Sequence, residues 1–208
     1  MESVIKNLIV KLIILSTLGV ASFAEVKVLV LGDSLSEGYG VGKDKSYVNL
    51  IQKRLDEEKI PMKITNGSIS GSTTSSLASR LKWYLKIKPD YVIVALGAND
   101  GLRGLDLTQM NKNLRDGVET IKKANSTPII FPMLLPPNYG QTYRETFEKT
   151  FTAITADYKL KEAPFLLDGV AAQRELNQSD GIHPNIKGHE LMAKKLYPFF
   201  KGLADAGN

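Results

Sequence analysis

The sequence predicts an α/β protein, a single three-layer α/β/α domain built on a five-stranded parallel sheet. Two observations carry this. From residue 26 onward, short β-rich runs alternate with longer segments of helical periodicity, the pattern of βαβ units. The clearest strand candidates are near-continuous apolar runs, as expected of strands covered on both faces. The composition agrees: 208 residues fit one domain of ordinary size, and 43% hydrophobic with 24% charged residues is a normal globular balance.

The elements follow in order. Residues 26–31 (VKVLVL) read as the first buried strand. Residues 46–58 place Val48, Leu50, Ile51 and Leu55 at helical spacing. Residues 62–65 read as a second strand, and 72–86 as a helix with Leu77, Leu81, Tyr84 and Leu85 on one side, stopped by Pro89. Residues 91–96 (YVIVAL) are the most convincing strand. A helix over 108–125 aligns Met110, Leu114, Val118 and Ile121 along one stripe. A strand over 128–134, a helix over 144–161 and a short fifth strand over 165–167 come next. A helix over 186–203, interrupted at Pro198, closes the chain.

Ahead of this domain, Lys6 and Lys11 precede an apolar run at 12–21, and Ser22-Phe23-Ala24 supplies small residues where a signal peptidase reads them. Residues 1–24 therefore read as a secretory signal peptide and 25–208 as the mature domain, working in the periplasm or outside the cell. The apolar run is shorter than the roughly 20 residues of a spanning helix, so no stable membrane insertion is expected after cleavage.

The chain has no cysteine, which excludes disulfides, thiolate metal sites, a cysteine nucleophile and an acylated lipoprotein cysteine. Its two histidines, His183 and His189, are too few for a zinc site of several imidazoles, and no metal or cofactor is expected. The formal charge of +5 comes from lysines spread along the chain. That reads as a solvated surface, or as mild attraction for anionic lipid or acyl-phosphate substrates. Nucleic acid is not an expected partner.

Four segments fall at expected strand ends, where open α/β sheets bind ligands. Gly32-Asp33-Ser34-Leu35-Ser36 follows the first strand. A helix starting there aims N–H groups at Ser34 and favours a nucleophilic oxygen, although such turns are often simple caps. Gly71, after the second strand, can bring a backbone N–H close to a substrate oxygen, or it belongs to a capped loop. Asn99, in Gly97-Ala98-Asn99-Asp100-Gly101 after the third strand, carries an NH₂ suited to a developing oxyanion. Asp180 stands three residues before His183, able to fold back, fix the ring tautomer and leave the other nitrogen as a base. Pro184 biases His183 to extended backbone. His189 lies inside the last helix and reads as a surface or packing residue. Asp33 and Asp100 read as loop-fixing hydrogen bonders.

These four blocks, in this order, resemble the SGNH (GDSL) hydrolase family. Gly32-Asp33-Ser34-Leu35-Ser36, Ser68-Ile69-Ser70-Gly71, LGANDGLRG from Leu96, LPPNYG from Leu135 and DGIHPN from Asp180 are similar to its bacterial thioesterase I, lysophospholipase and arylesterase branch. Ala98 stands where some relatives carry Gly, and the Gly-x-Ser-x-Gly elbow of α/β-hydrolases is absent around Ser34. The resemblance implies the flavodoxin-like SGNH fold and a cofactor-free hydrolase of small acyl esters and thioesters, with a lipid as a candidate partner. Its catalytic residues would be Ser34, Asp180 and His183, and its oxyanion hole Ser34, Gly71 and Asn99. Leu102, Leu105, Leu107, Pro136, Pro137 and Tyr139 are candidates for an acyl groove, or else ordinary loop packing. Gly101 and Gly104 flank a loop able to move as a lid. Two other readings stand beside this one: a carbohydrate O-deacetylase of the same family, and a non-catalytic lipid- or glycan-binding module.

Overall fold

The computed structural model describes residues 24–206; the expected signal peptide lies outside them except for Ala24. The first strand, β1 (Val26–Gly32), is buried almost throughout, with Val28, Leu29, Val30 and Leu31 no more than 1% exposed. A short helix α1 (Ser34–Glu37) leaves its end directly. Helix α2 (Tyr47–Glu57) is capped by Ser46, whose hydroxyl accepts from the Asn49 N–H, and it buries Tyr47, Val48, Ile51 and Leu55. Strand β2 (Met62–Asn66) follows, then α3 (Leu77–Tyr84), which runs into a 3₁₀ turn at Leu85–Ile87. That turn ends at Lys88, in left-handed backbone at φ 51°, one residue before the expected stop at Pro89.

Strand β3 (Tyr91–Ala95) leads into α4 (Ala98–Leu102) and then α5 (Leu107–Lys123). The core side of α5 carries the expected stripe of Met110, Leu114, Val118 and Ile121, with Gly117 inserted in it. A Cβ at Gly117 would collide with the Leu77 side chain, so glycine is what lets α3 and α5 lie close. Strand β4 (Thr127–Ile130) and α6 (Gln141–Asp157) precede the last helix, α7 (Ile186–Ala206). Helix α7 is not interrupted at Pro198: one backbone donor is lost there, but buried Tyr197, Phe200, Leu203 and Ala204 anchor both sides of the proline.

The sheet is parallel, in the order β2-β1-β3-β4. It has four strands, not the expected five. Residues 165–167 instead enter a turn, in which the Asp168 N–H donates to the Phe165 carbonyl and the Val170 N–H to that of Leu167. Leu166 is buried there, so its apolar character serves packing rather than a ladder. Because β1→β2 and β3→β4 run in opposite directions across the sheet, right-handed crossovers put α2 on one face and α5 on the other. Helix α7 packs on α2, while α3 and α6 pack on α5. The chain reverses direction between β1 and β3, and the crevice at their carboxyl ends is the topological switch point.

Candidate active site

Ser34 stands at that crevice because of its two predecessors. Gly32 leaves no room for a Cβ, which would press on the Ser36 and Ser68 side chains. Asp33 caps α1, its Oδ1 accepting from the Leu35 N–H at 3.0 Å. Ser34 is thus the first helical residue, and its N–H has no intrahelical acceptor. Asp33 is 1% exposed. Burial pushes its carboxyl up to about 6, against the Leu35 N–H, the charge of His183, its own N–H and Arg80.

From 149 residues further along the chain, His183 Nε2 meets the Ser34 hydroxyl at 2.9 Å. Its Nδ1–H donates to Asp180 Oδ2 at 2.7 Å, while Asp180 Oδ1 accepts the N–H groups of Ile182 and His183, both at 3.0 Å. Gly181, at φ 75°, allows that turn. Partial burial pushes the Asp180 carboxyl up, but the His183 ring and these two N–H groups together hold it below the usual range. A carboxylate on Nδ1 leaves Nε2 as the acceptor facing Ser34. The loop is held from outside: Gln178 donates to the carbonyls of Tyr39 and Pro184, and the Tyr39 ring lies 4.8 Å from the His183 ring.

The two remaining blocks arrive beside Ser34. Gly71 adopts φ 76°, which favours glycine. Asn99, in the first turn of α4, donates from Nδ2 to the Ser72 carbonyl at 3.1 Å and lies 3.5 Å from Asp33 Oδ2. The second contact is long, so one amide hydrogen is free to turn to a new acceptor. Arg103 Nη2 bridges the blocks, donating to the Gly71 carbonyl at 3.1 Å and to Asn99 Oδ1 at 3.3 Å. Since arginine only donates, this contact fixes which end of the Asn99 amide faces the site. Glu37 accepts from the Ser70 N–H and hydroxyl, pinning the Gly71 loop to α1. Asp100 accepts from the Thr74 N–H and hydroxyl and ties α4 to the 3₁₀ turn (Thr74–Ser76) that leads into α3.

Ser34, Asn99 and His183 open into a cavity of about 630 Å³. Leu102, Pro136, Pro137 and Tyr139 line it as expected. Leu105 and Leu107 do not: Leu105 points to solvent at 42% exposure, and Leu107 opens α5 and packs on the core. Their places are taken by Met133, Leu134, Phe165, Ala171 and Ala172 from beyond β4 and from the turn where a fifth strand was expected. Arg144 also reaches the lining, its Nε–H held by the Leu135 carbonyl. The sequence reading missed Arg103, Glu37, Gln178 and Tyr39. Only Arg103 carried a local signal, standing one helical turn after Asn99.

His189 is not a surface residue. It is 1% exposed, stacks on Tyr47 at 6.4 Å, and its Nδ1 accepts from the Tyr47 N–H. Burial, then the charge of His183, pushes it down to about 4.

Residues 30–191 match the GDSL-like lipase/acylhydrolase family. The chain is 36% identical over 176 residues to esterase TesA of Pseudomonas aeruginosa, covering 84% of this chain and 88% of that one. It is 35% identical over 175 residues to thioesterase 1/protease 1/lysophospholipase L1 of Escherichia coli, covering 82% and 83%. The psychrotrophic esterase EstA from Pseudoalteromonas sp., crystallised with monoethylphosphonate as inhibitor, superposes with a TM-score of 0.82 at 34% identity, covering 86% of this chain and 98% of EstA.

Proposed function

The chain belongs to the GDSL-like lipase/acylhydrolase family, and on that premise we propose that it hydrolyses carboxylic esters and thioesters through an acyl-enzyme on Ser34. The observation that carries this reading is the unbroken relay from Asp180 through His183 to Ser34, at 2.7 and 2.9 Å, at the mouth of the cavity.

Ser34 Oγ attacks the acyl carbon as His183 Nε2 takes its proton, and the carbonyl oxygen becomes an oxyanion. The N–H groups of Ser34 and Gly71 and the Nδ2 of Asn99 receive that charge. Asp180 stabilises the imidazolium. His183 then protonates the departing alkoxide or thiolate, leaving an ester on Ser34. Water attacks that ester with His183 again as base, and the acid leaves. Aryl esters, acyl thioesters and lysophospholipids all present the same reacting atoms. The volume of the cavity and its largely apolar lining support substrates with an acyl chain over acetyl esters alone. We place the mature enzyme outside the cytoplasm on the strength of the leader sequence. Among the described residues, no helix is long and apolar enough to cross a membrane.

Hydrolysis of p-nitrophenyl esters of increasing acyl length, by the wild type and by Ser34→Ala, tests the proposal. Turnover extending beyond acetate and abolished in the variant is expected. Activity confined to acetate would replace this reading with the deacetylase, and activity without Ser34 would remove the nucleophile.

A further inference from the structure

The pole opposite the catalytic crevice carries a surface that ester hydrolysis does not use. Helix α3 begins near the crevice and ends at the amino edge of the sheet, so its last turn and the 3₁₀ turn after it lie at that far edge. There Trp83, the only tryptophan in the chain, is 67% exposed, and Ile87, one turn later, is 42% exposed. Lys82, Lys86 and Lys88 surround them, all exposed, with Lys86 Nζ 4.5 Å from the centre of the Trp83 ring. Two lysines distant in sequence lie at the same sheet edge. Lys27 and Lys63 are partners in the β1–β2 register and so share one face of the same edge, and the Asp90 N–H joins the end of this segment to the Lys27 carbonyl. Among the described residues none of these five lysines has an ion pair. The acids nearest along the chain are Glu25, Asp90 and, ahead of Lys63, Glu58; Asp90 is engaged by the Lys27 N–H, and Glu58 is paired with Arg54 and Lys201.

We propose that this pole docks on an anionic lipid surface, with Trp83 and Ile87 at the headgroup level and the lysines over the lipid charges. Two features favour a bilayer. Tryptophan with one face apolar and one N–H suits the boundary between hydrocarbon and water. Unpaired lysines around it supply attraction that acts only close to an anionic surface. Docked in this way, the catalytic crevice faces away from the bilayer, towards soluble or freely diffusing substrate.

Every element among the described residues lies within residues 26–206, so residues 25–208 serve for the test, with Trp83 as its own reporter. Its fluorescence is titrated with vesicles of phosphatidylcholine alone and of phosphatidylcholine with one-third phosphatidylglycerol. A blue shift is expected on the anionic vesicles only, reversed by molar salt. In sedimentation with the same vesicles, each lysine neutralised in Lys82→Gln, Lys86→Gln and Lys88→Gln should weaken binding about fivefold, and Trp83→Ala should weaken it further. Thermal unfolding midpoints check that the variants are folded and do not depend on any assigned activity. No shift, an equal shift on neutral vesicles, or binding by the wild type that ignores salt would each overturn the proposal without any variant. Undiminished binding by the folded triple-glutamine variant would move the contact elsewhere.

Discussion

Two histidines stand close together in the chain and do opposite things. His183 sits on a loop, with a carboxylate on one nitrogen and the Ser34 hydroxyl on the other. His189 sits inside α7, sealed against Tyr47, with burial pushing its pKa to about 4. The residue type is the same, and its partners decide its chemistry. A carboxylate stabilises the imidazolium and so makes a base. Burial without a carboxylate keeps the ring neutral and makes a packing piece. The regions are nonetheless joined. Tyr47, stacked on His189, hydrogen-bonds through its phenol to Ser36, one residue beyond Leu35 in the turn that carries Ser34.

The sharpest way to break this comparison is to exchange the losses. His183→Ala should lower kcat about ten-thousandfold while leaving the unfolding midpoint in place. A large loss of stability there would mean that the loop needs its imidazole to fold. Asn99→Ala should follow, with kcat down by about a hundredfold to a thousandfold, close to 3 kcal/mol of transition-state stabilisation. Unchanged turnover would remove Asn99 from the hole. His189→Ala should do the reverse of His183→Ala: about 2–3 kcal/mol less stable in urea, from the cavity left against Tyr47, with kcat of the folded fraction nearly intact.

A finer test uses pH. The pKa of His189 falls from 6.5 to about 4 on folding, so its contribution to stability is present above pH 6.5 and is lost as pH falls towards 4. Asp33 runs the other way. Its folded value of about 6 lies above 3.8, so its contribution is full below pH 3.8 and is lost as pH rises through 6. The two slopes oppose each other over the same interval, each bounded at about 3 kcal/mol. His189→Gln should therefore leave a protein whose stability rises on acidification across this window, and Asp33→Asn one whose stability falls. Parallel slopes in urea midpoints for both variants would deny that these groups titrate on unfolding. Arg103→Met should have the smallest effect, about a tenfold loss in kcat with KM little changed. It would loosen Gly71 and Asn99 together without removing either donor, and a Lys substitution should restore part of the loss.

Ser34, Asn99, Asp180 and His183 were legible in the sequence because each belongs to a short local motif at the end of a strand, and strand ends follow from apolar runs. Asp33 was legible as a loop-fixer because its partner, Leu35, lies in the same turn, whereas the partner of Asp100, Thr74, comes from another block and was not. Arg103, Glu37 and Gln178 were not, since their partners come from other blocks and nothing in an isolated charged residue announces a distant carbonyl. The cavity was half legible. Leu102, Pro136, Pro137 and Tyr139 lie beside motifs, but Met133, Phe165 and Ala171 look like any core residue until the chain folds. Leu105 and Leu107 show the converse error, because closeness to Asn99 in sequence did not place them in the lining.

Local chemistry along the chain was enough to determine the fold class, the order of most elements and the candidates for the reacting groups. Periodicity, turn residues and the Asp180–His183 spacing are short-range properties that no distant contact has to complete. Tertiary structure alone decided that the fifth apolar run turns instead of pairing, that α7 continues through Pro198, and that one histidine is sealed while the other meets Ser34. It also decided which apolar side chains wall the cavity, and that Lys27 and Lys63 share the sheet edge where the Trp83 segment ends. Each of these outcomes depends on which side chain fills the space beside another, and a linear sequence does not record that.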